Sequence, residues 1–457
     1  MTSARDFAAP SARNSAATPN STPWDARYEW RAIALLTLAS GLLGLDRFIV
    51  NPLFPAMMRD LSLDYQDLGN MGAVLAVTWG LCALLMGRVS DRVGRRRVIV
   101  PSIVVFSVLV GATGLVGGIA SLLVVRAIMG VAEGACVPAA NVAAIEASKP
   151  SRKGFNFGIF ANGLPLIGLG LGPIIATQLL FLLPSWRWVF AIVAIPGLVT
   201  AYLLHRVLRD TRVAPAAEGN HGSDSARHEW TRALRTHNVP LCVAVMACTS
   251  GALNVVIAMT PNYLTDHMHL PVAHMGFVMS AVGAGAFLGG LTLPGLSDRF
   301  GRKPIMMFGV FAAALSLWGF MHAGVAATEG WLFALLLSYS LFAFSAFVIL
   351  IGPMATESVD VSLASTAVGI ISGVGEIVGG GAAPALAGYI AKHFGIEKVF
   401  YTALGGLILA LLLIATLHET RTLARERSPA YGSRREAGLR PRLLRSWASL
   451  SRGSRRS

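Results

Sequence analysis

Apolar runs of about 20 residues alternate along this chain with short polar turns, and a helix needs about that many apolar residues to cross the hydrocarbon core of a bilayer. Twelve runs stand out, at 31–54, 68–87, 98–118, 120–146, 155–180, 187–207, 238–260, 273–293, 304–323, 330–355, 366–391 and 398–417. They predict an all-α polytopic membrane protein with twelve transmembrane helices. The turns are short except at 208–237, where charged residues mix with Gly and Pro. The expected order is a disordered cytoplasmic stretch at 1–29, a six-helix half at 30–207, a cytoplasmic linker at 208–237, a second six-helix half at 238–417 and a basic, disordered tail at 418–457.

The polar positions repeat. A charged knot, Gly87-Arg88-Val89-Ser90-Asp91-Arg92-Val93-Gly94-Arg95-Arg96-Arg97, follows the second apolar run, and Pro294-Gly295-Leu296-Ser297-Asp298-Arg299-Phe300-Gly301-Arg302-Lys303 follows the eighth. Asp91 and Asp298 are 207 positions apart. Glu146 and Glu357, Gly158 and Gly369, and Pro173 and Pro384 are each 211 apart. The chain therefore reads as two pseudo-symmetric copies of one six-helix unit. Parallel repeats of this kind place a binding site near the bilayer midplane, where the copies meet.

Charge placement sets the expected orientation. Only 14% of residues are charged, against 54% hydrophobic, yet the net charge is +14. The cations gather in the turns after even-numbered runs and in the tail, where His418–Ser457 holds eleven Arg against three Glu. Lys and Arg mark cytoplasmic loops, so both termini should lie inside, with the tail against anionic lipid. The turn after the tenth run departs from the rule, carrying Glu357 and Asp360 without a cation. No basic stripe on a folded domain points to nucleic acid. The four cysteines lack metal or redox spacing, and no G-x-x-x-x-G-K-[ST] loop for ATP is present. No catalytic set stands out either, so no cofactor, metal or enzymatic activity is expected.

Ionisable residues deep in a span each cost about 2.5–3.5 kcal/mol and ask for a role. The first run holds Asp46-Arg47, the fourth Arg126 and Glu133, and the eleventh Glu376 between Gly373-Val374-Gly375 and Gly379-Gly380-Gly381. An intramembrane Arg suits a carboxylate, because its fork donates two parallel hydrogen bonds. Arg47, Arg126, Asn162 and Asn254 are the substrate-binding candidates, and Asp46, Glu133 and Glu376 the proton-coupling ones. Blander readings stand beside each. Arg47 could reach the outer surface or be neutralised by Asp46, Arg126 could simply pair with Glu133, and Glu376 could be held by a hydroxyl such as that of Ser372.

Residues 31–417 resemble the major facilitator superfamily of secondary transporters. Gly87 to Arg96 matches its loop pattern G-x-x-x-D-R-x-G-R-R, and the second copy departs by having Pro294 at the first position. The resemblance implies a cytoplasmic gate built from Gly87, Asp91, Arg92, Gly94, Arg95 and Arg96 and from Asp298, Arg299, Gly301, Arg302 and Lys303. Glu146, Arg152 and Glu357 would join it, and an Asp in it would hold the halves together on one side. Arg126-Ala-Ile-Met-Gly130-Val-Ala-Glu133-Gly134 is similar to the family's helix-4 pattern, R-x-x-x-G-x-x-E-G. That pattern, with a helix-1 Arg, borders the substrate cavity in anion/cation symporters. Aromatic-acid/proton symporters are similar too, although their D-G-x-D survives only as Gly44-Leu45-Asp46. The implied activity is proton-coupled uptake of a small organic anion by a monomer. Efflux of drugs or metabolites is the alternative, disfavoured because the antiporter motif G-x-x-x-G-P-x-x-G-G ends here in Ala176-Thr177. A transporter-like receptor signalling through its tail is the remote one.

Overall fold

The computed structural model describes residues 25–209, 230–325, 327–360 and 363–420, with backbone alone at 84, 85, 87, 88, 91 and 92. The basic tail, most of the linker and nearly all of the N-terminal stretch lie outside the described residues. All regular structure among the described residues is helical.

Twelve long helices are laid out as the apolar runs predict. In the first half they are α1 (Ala26–Leu61), α2 (Tyr65–Val93), α3 (Arg95–Thr113), α4 (Ile119–Glu146), α5 (Pro150–Leu182) and α6 (Trp186–Val207). In the second they are α7 (Asn238–His267), α8 (Val272–Phe300), α9 (Arg302–Met321), α10 (Glu329–Glu357), α11 (Ala364–Phe394) and α12 (Ile396–Thr416). Eleven qualify as spans by length and composition, and α2, with 29 residues, makes up the twelfth.

The helices outrun the apolar stretches that revealed them, because backbone hydrogen bonding continues after the side chains turn polar. This overturns the expectation of a charged loop at 88–97. Helix α2 continues through the knot to Val93, and α3 begins at Arg95. Gly94 is the whole link, at φ 105°, and Gly301 repeats it between α8 and α9 at the same φ. A side chain is disfavoured in that region, so glycine is required at both joints.

Local chemistry explains other boundaries. Asp64 and Asp67 cap the start of α2 reciprocally: each backbone N–H donates to the other's carboxylate at 3.0 Å. Thr328 caps α10 and Ser185 caps α6. Helices α5 and α11 each contain wide π-type turns, Leu164–Leu171 and Ile377–Ala382, just before Pro173 and Pro384. Proline has no N–H to donate and crowds the carbonyl four residues back, so the preceding turn widens.

Small residues set the helix spacing. A Cβ on Gly130 of α4 would stand 2.0 Å from Thr78 Oγ1 of α2, and one on Gly134 would stand 2.4 Å from the Trp79 carbonyl oxygen. The glycines of the R-x-x-x-G-x-x-E-G pattern thus let α4 press on the α2 backbone. The halves meet along two seams, α2 against α11 and α5 against α8. At the second, Gly283 approaches Gly170 so closely that a Cβ would meet its nitrogen at 2.0 Å.

The end of the bundle opposite the Gly94 and Gly301 joints, here the distal end, is clasped between the halves, from α2 to α11 and α7. Lys392 Nζ meets Asp64 Oδ2 at 2.6 Å. Tyr65 Oη donates to Asp266 Oδ2 at 2.9 Å, and Gln66 Nε2 donates to the Ala385 carbonyl at 3.2 Å.

Candidate functional site

The deep ionisable residues converge where the halves meet. Arg47 stands on α1 and Glu376 on α11, 329 positions apart in sequence, and Arg47 Nη2 lies 3.4 Å from Glu376 Oε1. The Arg47 guanidinium also lies over two rings, 5.5 Å from the centroid of Phe48 and 5.7 Å from that of Trp79. The other Glu376 oxygen accepts a short hydrogen bond from Ser250 Oγ on α7. One turn on, Asn254 Nδ2 donates to the Ser250 carbonyl at 3.0 Å and to its hydroxyl at 3.2 Å. Gly380 leaves room for the carboxyl, since a Cβ there would stand 3.0 Å from Glu376 Oε1.

Behind Arg47 lies a second polar group, inside the first half. Arg126 is buried, and its Nη1 is 3.5 Å from the Arg47 carbonyl oxygen. Its Nε and Nη2 have no hydrogen-bond partner among the described residues, nor have the carboxyl oxygens of Asp46 and Glu133 or the hydroxyl of Ser107. Arg126, Asp46 and Glu133 are near enough to act on one another electrostatically. The five central ionisable groups comprise two guanidiniums and three carboxyls. Fully ionised they carry one excess negative charge.

Arg47, Asn51, Arg126, Asn254, Gly380 and Pro384 line a central cavity of about 50 Å³. That is room for water but not for an organic acid. Asp46 points elsewhere, its Oδ2 lying 4.0 Å from where a Cβ on Gly197 of α6 would stand. Adjacent residues on a helix differ by about 100°, and Arg47 accordingly pairs with Glu376, not Asp46.

Other candidates fall differently. Asn162 Nδ2 donates to the Gly158 carbonyl at 2.8 Å, and its Oδ1 faces Gly290 of α8. It sits on the α5–α8 seam, outside the residues lining the cavity. Ser372 donates to the Val368 carbonyl, so it is not the hydroxyl that meets Glu376. Ser250, Trp79 and Phe48 were missed by sequence reasoning. Ser250 had one available signal, lying four residues before Asn254 on the same helical face.

The charged knots form matching constellations in the two halves. Arg95 reaches Glu146 at 3.0 Å and Ser90 Oγ at 3.4 Å. Arg302 reaches Glu357 at 2.9 and 3.3 Å and Ser297 Oγ at 2.7 Å. Asp298 pairs with Arg302 at 2.6 Å, and Arg96 donates to the Leu208 carbonyl at 3.5 Å. Lys303 Nζ donates to the carbonyls of Ala415 and Leu417, and the backbone N–H groups of Arg302 and Lys303 are capped by Glu419. These pairs join helices within a half, where the sequence had suggested a tie between halves. Arg152 departs from the expected company of Glu146 and lies over the Trp30 ring, 6.0 Å from its centroid. Gly87 is a helical position of α2, the side chains of Asp91 and Arg92 lie outside what is described, and Arg299 is on the last turn of α8.

Twelve membrane helices in two like halves, with the half-buried Arg47–Glu376 pair between them and Asp46, Arg126 and Glu133 buried behind it, define a membrane transport protein. The Major Facilitator Superfamily model matches residues 36–382, and the chain belongs to that family. It is similar to the hexuronate transporter of Bacillus subtilis (strain 168), 25% identical over 394 residues, covering 82% of this chain and 91% of that one. It is also similar to the shikimate transporter of Escherichia coli (strain K12), 25% identical over 346 residues, covering 69% and 75%. Among solved structures, a bacterial homolog of the human lysosomal transporter Spinster, inward-facing and unoccupied, superposes with a TM-score of 0.72 at 16% identity, covering 87% of this chain and 97% of that one.

Proposed function

We propose that this protein is a secondary active transporter that imports a small organic anion, a carboxylate, together with protons across a bacterial cytoplasmic membrane. Arg47 and Arg126 bind the carboxylate, Asn254 contacts its polar groups, and Asp46, Glu133 and Glu376 exchange protons. The joints at Gly94 and Gly301 face the cytoplasm with both chain termini, following the distribution of Lys and Arg. In that orientation the distal clasp is a closed external gate, and the matching knots are the cytoplasmic gate parts.

The observation that carries this reading is the Arg47–Glu376 pair bridging the halves at a cavity that Arg126 also lines. A guanidinium inside a bilayer favours an anion, and a neighbouring carboxyl can discharge by taking a proton. The similarity to hexuronate and shikimate transporters supports an organic acid as cargo.

The test is uptake by the purified protein in liposomes. Galacturonate or shikimate should accumulate when the outside is made acidic and should leak back when a protonophore is added. Accumulation of neutral nucleosides or cationic dyes instead would overturn the anion assignment. Carboxylate uptake indifferent to the pH gradient would overturn proton coupling.

A further inference from the structure

The geometry points to Glu376 as an internal stand-in for the cargo: in the empty carrier its carboxylate occupies the place at Arg47 that the substrate's carboxylate takes, and it yields that place only on accepting a proton. This rests on the reading of the protein as a carboxylate transporter and deepens it.

Three observations carry the inference. Glu376 is the carboxyl seen against Arg47, although Asp46 is its neighbour in sequence and Glu133 lies in the same half. Glu376 also comes from the opposite half, so its bond to Arg47 crosses the interface that must open around a ligand. Finally, its second oxygen is held by Ser250, whose hydroxyl is in turn contacted by Asn254, a cavity-lining residue. The carboxyl is thus positioned from two sides, one oxygen facing Arg47 and the other facing α7.

Charge then decides the sequence of events. The charged groups around Glu376 are Arg47, with Arg126 behind it and Asp46 and Glu133 deeper in the first half. From α7 only the uncharged Ser250 and Asn254 reach it among the described residues. With three carboxyls against two guanidiniums, a substrate carboxylate would make four against two. A buried carboxylate without a cation is strongly disfavoured, so substrate binding and protonation of Glu376 proceed together. The proton goes onto a Glu376 oxygen, the Arg47 ion pair breaks, and the substrate carboxylate takes up the guanidinium. One proton therefore accompanies each bound carboxylate through this residue, whatever Asp46 and Glu133 add. Ser250 is a positioning residue: donating to the ionised carboxyl, it favours the state in which Glu376 blocks Arg47.

Calorimetric titration of the purified full chain with galacturonate and with shikimate, from pH 5.5 to 8.5, tests this. Wild-type affinity should fall with rising pH, by up to about tenfold per pH unit for this one linked proton. Glu376→Gln, checked for folding by its thermal transition, should bind more tightly than wild type at pH 8.5 and lose one proton of linkage. Glu376→Asp should retain the linkage, and Ser250→Ala should move the fall in affinity toward alkaline pH without changing its steepness. Wild-type binding with equal steepness in Glu376→Gln would overturn the stand-in role alone. Failure of both acids to bind wild type at any pH would overturn the carboxylate reading, and this inference with it.

Discussion

Lys392 Nζ lies 2.6 Å from Asp64 Oδ2, joining the two halves at the distal end of the bundle. Burial pushes the Asp64 carboxyl up, but the hydrogen bond from Lys392 and the backbone N–H of Asp67 outweigh it and leave the group below its usual range. A carboxyl lowered by its partner contributes fully above its ordinary value of about 3.9 and loses that contribution as pH falls through the lowered value. Closure of the distal end should therefore be constant from pH 7 to 5 and weaken below about pH 4. Spin labels at Ser62 and Lys398 in a cysteine-free background would follow it. Asp64→Asn should reproduce the acid distribution at pH 7. An exposed ion pair contributes about 0.2–1 kcal/mol, so a change beyond roughly fivefold would assign the clasp more than this bond.

Arg47→Lys keeps the charge and loses the fork. A bidentate carboxylate contact reduced to a point contact should weaken apparent affinity by about tenfold, equivalent to roughly 1.4 kcal/mol. Uptake kinetics in liposomes would show it as a raised KM. Arg47→Lys that transports with unchanged KM would remove Arg47 from the binding site.

Gly130→Val tests packing rather than chemistry. Its first added atom would sit 2.0 Å from Thr78 Oγ1 and 2.6 Å from the Leu75 carbonyl oxygen, and the backbone atom cannot turn aside. Overpacking costs about 1–3 kcal/mol, so the thermal transition in detergent should drop by several degrees. Gly117→Val, at a position where a Cβ would meet nothing within 4 Å, is the control and should leave the transition in place.

The two knots should behave alike. Glu357→Gln removes the charge that Arg302 meets at two points, and Glu146→Gln does the same for Arg95. Charge-assisted hydrogen bonds contribute about 1.5–3 kcal/mol, so each variant should lower the thermal transition. Thr420 Oγ1 also donates to the Glu357 carboxylate at 2.8 Å. Equal stability of both variants and wild type would relegate these pairs to surface charge.

Much of the architecture could be read from residue order. Hydrophobicity over 20-residue runs marks a span whatever its neighbours do, and the 211-residue offset of Glu146 and Glu357 foretold equivalent partners for both. Arg47, Arg126, Asn254 and Glu376 were all legible as polar exceptions inside apolar runs. Their pairing was not, because Arg47 meets Glu376 only through the docking of one half on the other, which no local periodicity encodes. Ser250 was hidden for another reason: a hydroxyl in a span commonly bonds its own helix, as Thr249 does to the Val245 carbonyl, and only its place one turn before Asn254 sets Ser250 apart. The knots misled in one respect, since dense charge suggests a loop while the backbone stays helical up to a single glycine.

That single glycine has a mechanical consequence. A joint one residue long, repeated at Gly94 and Gly301, leaves α2 with α3 and α8 with α9 no slack to slide past each other. Each pair must swing as one bracket, its corner braced by the bond from Arg95 to Ser90 or by those from Arg302 to Ser297 and Asp298. A tilt imposed on α2 or α8 at the seams is thus passed on to α3 and α9, and lengthening either corner by a few residues would weaken that coupling.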